Sequence, residues 1–378
     1  MSSSQQKVIV IGAGIIGLMS ALELLAQGFK VQIFDQAQPA KGASWAGGGI
    51  LSPLYPWKYD PAVNALARYG KSRYTYWNQK LLPLSQIDFE IETVGLMIFD
   101  QDQYSQALDY STLFSEPDQS AQLLDHQNIQ KFNSRIHQDI SSAVYFSHIA
   151  NVRNPRLTQS ILQYLSQHPD VSIVPNTQII KLKKKNGHII AIQDQYLKSY
   201  SADHYVLATG AWSQVLLNQL NIDFDVQPIH GQMVLYKTPP QWLPTICMNN
   251  TMYLIPRRDG HIVCGSSMRE CGFNTDVDSK VTQHIVDAST SLIPELAKFP
   301  IVKQWAGLRP SSPKGIPVIG RVPDLSNMWL NVGHFRNGLV MAPASAQLLV
   351  QQMCDLPLLV DPKPYLPQIV SSIGHALA

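Results

Sequence analysis

Residues 7–17 read Lys7-Val-Ile-Val-Ile-Gly-Ala-Gly-Ile-Ile-Gly17. Val8 to Ile11 are all β-branched, with no polar alternation, which predicts a strand buried on both faces. Gly12, Gly14 and Gly17 then follow at G-x-G-x-x-G spacing. Leu18 to Gln27 has helical character and Gly28 closes it. Lys30 to Phe34 reads as a second strand, with Asp35 at its end. Strand, glycine turn, helix, strand and acid together predict an α/β fold that begins with a parallel βαβ unit.

Each part has a physical job. Gly12 permits the tight turn, Gly14 lets the backbone approach a pyrophosphate, and Gly17 allows helix and strand to pack closely. Ile15 and Ile16 lie at the helix start, where N–H donors and the positive dipole end favour phosphate. Asp35 is placed to accept from ribose hydroxyls and would repel a 2′-phosphate, which argues against NADP. A dinucleotide site is the expectation, and this unit alone leaves FAD and NAD both open.

Working outward, Lys41 to Leu51 carries three consecutive glycines, Gly47, Gly48 and Gly49, after Ala43 and Ser44. A backbone so bare can lie flat against a bulky ligand. Asp60-Pro61 reads as an N-cap and first-turn proline, opening a helix to about Leu82. Glu90–Asp100 is expected as strand, and residues 101–138 as a polar, helical surface insertion. Asn151 to Pro155 precedes a helix ending near His168. Residues 171–174 and 178–182 read as strands, and the lysines around 181–185 sit before an Asn186-Gly187 hairpin turn. A solvated hairpin face explains them better than a nucleic-acid site. A strand at 203–207 runs into Ala208-Thr-Gly-Ala-Trp212, a further small-residue turn. Strands at 226–236, 252–255 and 261–265 follow, and a terminal βα unit carries a helix from about Ala342 to Asp355. The expected architecture is a Rossmann-like lobe made of residues 1–90, 150–225 and 300–378. An antiparallel-sheet (α+β) lobe is made of 91–149 and 226–299.

The bulk composition bounds the class. The chain has 378 residues, 45% hydrophobic and 15% charged, enough for a large core in two lobes. A net charge of +2 gives no reason to expect a nucleic-acid or anionic-membrane partner. The four cysteines form no CxxC and no zinc-type spacing, so no metal is expected and free thiols in a reducing cytoplasm are. Val8 to Leu22 is uncharged, like a signal-peptide core. It lacks a small-residue cleavage site and is too short for a membrane span.

One residue poses the functional question. Arg309 follows the apolar run Trp305-Ala-Gly-Leu308 within WAGLRPSSPKGIPVIG. It reads either as a surface arginine at a strand–loop junction or as a planar fork for a carboxylate.

These motifs carry a resemblance. VIVIGAGIIGL, ASWAGGGILSPLYPW, VLATGAWS, YLIPRRDGHIVCGSSM, WAGLRPSSPKGIPVIG and GHFRNGLVMAPA together resemble the D-amino-acid oxidase-like group of FAD enzymes, and within it the glycine oxidases of the thiamine pathway. The resemblance implies FAD rather than NAD. Ala43, Ser44, Gly47, Gly48 and Gly49 would contact it from one loop and Thr209, Gly210 and Trp212 from another. Ile179 would lie on the adenine side. His334, Phe335, Arg336, Asn337, Gly338 and Leu339 would lie beside the flavin ring. It implies that Arg309 binds the substrate carboxylate at the cofactor's edge and that Tyr253 makes a second carboxylate contact. Met268 and Arg336 would border the substrate pocket; core packing for Met268 and an ion pair within its own loop for Arg336 are the plain alternatives. No cysteine stands where some relatives attach FAD, so FAD is expected to be noncovalent.

The implied chemistry is oxidative deamination of glycine and small D-amino or N-methyl amino acids. Hydride passes to flavin, the imine hydrolyses to oxo acid and ammonia, and O2 becomes hydrogen peroxide. This needs no dedicated base, and His230, His261 and His334 are given no catalytic role. A homo-oligomer without stable membrane association is in keeping with the group. Two other readings stay open: a D-amino-acid dehydrogenase of the same fold passing electrons to a quinone or other carrier, and a flavin-binding module without amine oxidation.

Overall fold

A computed structural model describes residues 5–112 and 120–368. A six-stranded sheet runs in the order Val318–Arg321, Met328–Val332, His204–Leu207, Lys7–Ile11, Lys30–Phe34 and Val171–Val174. All neighbours are parallel except Val318–Arg321, which returns antiparallel to Met328–Val332.

The β-branched run earns its central place. Val8 and Val10 pack into one core with the helices Ile15–Ala26, Asn154–Gln167 and Gly338–Met353. Ile9 and Ile11 face the opposite core with Ile189 and Ile192 of a three-stranded antiparallel sheet and Leu216 and Leu217 of the helix Gln214–Leu220. A strand covered on both sides has no solvent face, and so shows no polar alternation.

The larger sheet has eight strands in the order Ile301–Pro310, Pro228–Lys237, His261–Gly265, Tyr253–Pro256, Ile246–Met248, Leu96–Ile98, Ser142–Phe146 and Ala121–Asp125. Here successive residues do separate. Val234, Leu254 and Cys264 pack under the helix Ser279–Leu292, while Met233, Tyr253, Ile255 and Val263 form a core on the other face. That alternation is what aims Tyr253 at the interior.

Several elements depart from expectation. The strand Ile301–Pro310, grouped by sequence with residues 300–378, pairs along its length with Pro228–Lys237 in the larger sheet. Within 101–138, expected to be helical, Ala121–Asp125 is an edge strand of that sheet; part of this segment, 113–119, lies outside the described residues. The helix expected from Pro61 is two, Pro61–Ala67 and Gly70–Ser85, and the strand expected at 90–100 is two short ones, Glu92–Thr93 and Leu96–Ile98. The last helix begins at Gly338 rather than Ala342 and continues through Pro343. A proline inside a helix frees the carbonyl four residues earlier. That carbonyl, of Leu339, accepts from the Tyr74 hydroxyl at 2.7 Å.

Candidate active site

The glycine turn shows why its residues must be small. Gly12 has φ +107°, and a Cβ there would sit 2.3 Å from the Ala208 carbonyl oxygen. A Cβ on Gly17 would lie 1.9 Å from the Gly12 carbonyl oxygen, so Gly17 serves packing of helix on strand. The helix starts at Ile15, inside the glycine motif and not after it. Its first N–H, of Ile15, donates to Ser44 Oγ at 2.7 Å. Asp35 accepts from the N–H groups of Ala13 at 2.8 Å and Ala37 at 2.9 Å, and burial raises its pKa above the ordinary carboxylate value.

A cavity of about 520 Å³ opens over this turn. Gly12, Gly14, Ile15, Ile16 and Asp35 line it, with Ala43, Ser44, Gly47, Gly48 and Gly49 from the triple-glycine loop. Ile179, Thr209, Gly210 and Trp212 line it from the three-stranded sheet and the turn after the fourth parallel strand. Tyr253, Arg309 and the run His334 to Leu339 complete the wall. Two expected residues do not. Gly17 lies behind the turn, and Met268 points outward, 59% exposed. Past Gly265 the chain stays alongside Pro228–Lys237, with Arg269 bridged to His230, and Ser266 and Ser267 rather than Met268 meet Arg309.

Those neighbours hold the arginine. Arg309 Nη2 donates to Ser266 Oγ at 2.6 Å and Nη1 donates to the Ser267 carbonyl at 3.1 Å. Its guanidinium lies over Gly231 on the adjacent strand, where a Cβ would come 2.1 Å from Nη1. Burial lowers the Arg309 pKa, the Tyr253 hydroxyl opposes that shift, and Arg336 adds to it. Among the described residues no carboxylate forms an ion pair with Arg309. A guanidinium that is half-buried, charged and lacking a protein anion is a ready site for a carboxylate. Arg336 is exposed and borders the same cavity.

Sequence reading missed the groups that fix the triple-glycine loop. Asn154 Nδ2 donates to the carbonyls of Ser44 (3.1 Å) and Gly47 (3.0 Å), and Trp305 Nε1 donates to that of Ala46 (2.9 Å). Arg257, 8% exposed, donates to the Gly48 carbonyl at 2.6 Å, to Asn151 Oδ1 at 2.6 Å and to the Val152 carbonyl at 3.0 Å. Burial pushes its pKa down to about 10. The only signal for Arg257 was its place in the Y-x-I-P-R run, two residues along the same strand face from Ile255. Gly231 and Ser266 gave none.

The three motif histidines have partners within the protein, His261 facing Asp259 at 2.9 Å. His334 is 1% exposed, its Nε2 faces Ser345 Oγ at 3.1 Å, and burial pushes its pKa down to about 3. His230 Nε2 lies 3.1 Å from the Asp276 carbonyl. No metal-binding group of three His, Cys, Asp or Glu occurs among the described residues, and no helix there is long and apolar enough to cross a membrane. None of the cysteines lines the cavity.

This cavity fits FAD on its own chemistry. A helix N-terminus, an acid at the second strand and three bare backbone turns form one continuous wall. Known proteins give the same direction. The family model described as DAO, FAD dependent oxidoreductase, matches residues 7–352. Glycine oxidase of Pseudomonas aeruginosa is 39% identical over 96% of this chain and 98% of its own length. The bifunctional protein ThiO/ThiG of Trichormus variabilis is 28% identical over 90% of this chain and 52% of its own length. The crystal structure of glycine oxidase from Geobacillus kaustophilus superposes with a TM-score of 0.89 at 20% identity, covering 98% of this chain and 100% of that one. At that identity it speaks for the fold.

Proposed function

The chain belongs to the DAO family of FAD dependent oxidoreductases, and on that footing we propose that it is an amino acid oxidase acting on glycine and small D-amino or N-methyl amino acids. The net reaction for glycine takes up water and O2 and gives glyoxylate, ammonia and hydrogen peroxide. Bound FAD supplies the two-electron acceptor. The observation that carries this reading is the Arg309 guanidinium, without a carboxylate partner among the described residues, beside Tyr253 in the cavity that the glycine turns line.

The chain's own work is positioning. Arg309 presents N–H groups to the substrate carboxylate, and the Tyr253 hydroxyl, whose acceptor among the described residues is the weak Met233 Sδ at 3.7 Å, is the second donor. With the carboxylate held at both, the substrate is positioned in the same cavity that the cofactor turns line. No side-chain base is needed to take a proton from carbon, which agrees with His334 being neutral and turned to Ser345. The likeness to ThiO/ThiG supports a role in supplying thiamine thiazole synthesis. A cytoplasmic, homo-oligomeric enzyme that holds FAD noncovalently completes the proposal.

The test is anaerobic mixing of the FAD-loaded protein with glycine, sarcosine, D-alanine or D-proline, followed by air. Bleaching of the visible flavin band, and its return with peroxide on aeration, is the expected result. A flavin that no amino acid bleaches would overturn the reading.

A further inference from the structure

We infer that Ser266 is a positioning residue for the carboxylate anchor: its hydroxyl sets the pose of Arg309. The inference rests on the proposed role of Arg309 and extends it to a residue that does not line the cavity.

A free arginine side chain has many rotamers, and ordering it costs about 2 kcal/mol. Here the guanidinium is fixed before any ligand arrives. Below it lies Gly231, with no side chain. Beside it the consecutive residues Ser266 and Ser267 take one N–H each, from Nη2 and Nη1. A guanidinium has five N–H donors, so two such bonds orient the plane and leave others for a carboxylate. A hydroxyl on a rigid backbone fixes direction as well as distance.

The backbone at Ser266 is rigid for visible reasons. Gln232 N–H donates to Ser267 Oγ at 3.0 Å. His230 and Arg269 exchange both backbone hydrogen bonds, at 2.9 and 3.1 Å. Arg269 pairs with Asp278 at 2.6 Å, and the Gln232 side chain holds the Asp278 backbone through both its N–H and its carbonyl. Segment 266–278 is therefore a strap pinned at both feet. Its tip reaches the cofactor side, where Phe273 stacks on Trp212 with ring centroids 5.6 Å apart.

The experiment compares holoenzymes carrying Ser266→Ala, Ser266→Thr and Arg309→Ala with wild type. Acetate, a carboxylate that cannot be oxidised, is titrated against the visible flavin spectrum. Glycine turnover is followed by peroxide release and FAD affinity by fluorescence. Ser266→Ala is expected to raise both the acetate Kd and the glycine KM about 10-fold, the scale of one lost hydrogen bond to a charged group. Its kcat and FAD affinity should stay within about twofold of wild type. Ser266→Thr, which keeps the hydroxyl, should restore most of the loss. If Ser266→Ala yields no holoenzyme, Ser266→Cys, a weak acceptor of similar size, takes its place with the same expectation. A wild-type acetate Kd in the Ala or Cys variant, alongside a defective Arg309→Ala, overturns the inference alone. A loss that comes with weakened FAD binding and no rescue by Thr also overturns it, as general disruption. If Arg309→Ala itself binds acetate and oxidises glycine normally, the reading of Arg309 falls and this inference with it.

Discussion

Arg257 and Arg309 come from the same sheet and use their donors in opposite ways. Arg257 gives its donors to Gly48, Asn151 and Val152. Arg309 gives two to Ser266 and Ser267 and lies beside the Tyr253 hydroxyl in the cavity wall. The difference lies in the acceptors around each, which no reading of the two side chains would supply. His334 carries a pH dependence at the same scale. The unfolded chain takes a proton there near pH 6.5, whereas the folded chain does so only near 3. Between those values the unfolded state binds more protons, so stability falls as pH falls, by up to about 1.4 kcal/mol per unit. Urea midpoints measured from pH 7 to 5 should therefore drop more steeply for wild type than for His334→Asn. Parallel slopes for the two proteins would refute a neutral buried imidazole.

At the scale of the element, a strand face becomes a binding wall by omission of side chains. Gly231 and Gly307 stand opposite each other on paired strands. A Cβ on Gly307 would lie 2.6 Å from Ala46 Cβ, and one on Gly231 would strike the Arg309 guanidinium. Two glycines so placed bring the loop 43–49 and the arginine down onto the sheet. Gly231→Ala is expected to displace Arg309, raise the glycine KM by tenfold or more and leave the flavin bound, because the glycine turn at 12–17 is untouched. An unchanged KM would mean that the guanidinium has another resting place. The triple-glycine loop meets the strand Tyr253–Pro256 in the same manner: a Cβ on Gly48 would come 2.7 Å from Ile255 Cδ1 and 3.0 Å from the Tyr253 ring. Cofactor loop and substrate tyrosine thus share one contact.

At the scale of the whole molecule, the cavity gathers residues from Ile11 to Val340. A ligand lying across it binds the folded chain and not the unfolded one, so it stabilises by mass action, about 2.7 kcal/mol at a hundred times its Kd. Removing FAD should lower Tm by about 3 °C, and the loss should reverse in proportion to the logarithm of added FAD. A Tm indifferent to FAD would contradict a cofactor spanning both sheets.

The first βαβ unit was legible from residues 7–35 because its signals are local: β-branching, glycine spacing, a closing glycine and an acid at a set distance. The lining roles of the later glycine turns and of Arg309 could be expected through family resemblance, since each sits in a short recognisable motif. Other features depend on partners far away in the chain. The strand Ala121–Asp125 gains its state from pairing with Ser142–Phe146, and the strand Ile301–Pro310 finds its sheet through Pro228–Lys237. Met268 was placed inward by its motif and stands outward, whereas Ser266, Gly231 and Asn154 hold the site without any local signal, and Arg257 does so with only its place in a motif to mark it. Hydrogen-bond direction and close approach are pairwise properties. They arise only when strands distant in sequence come to lie side by side.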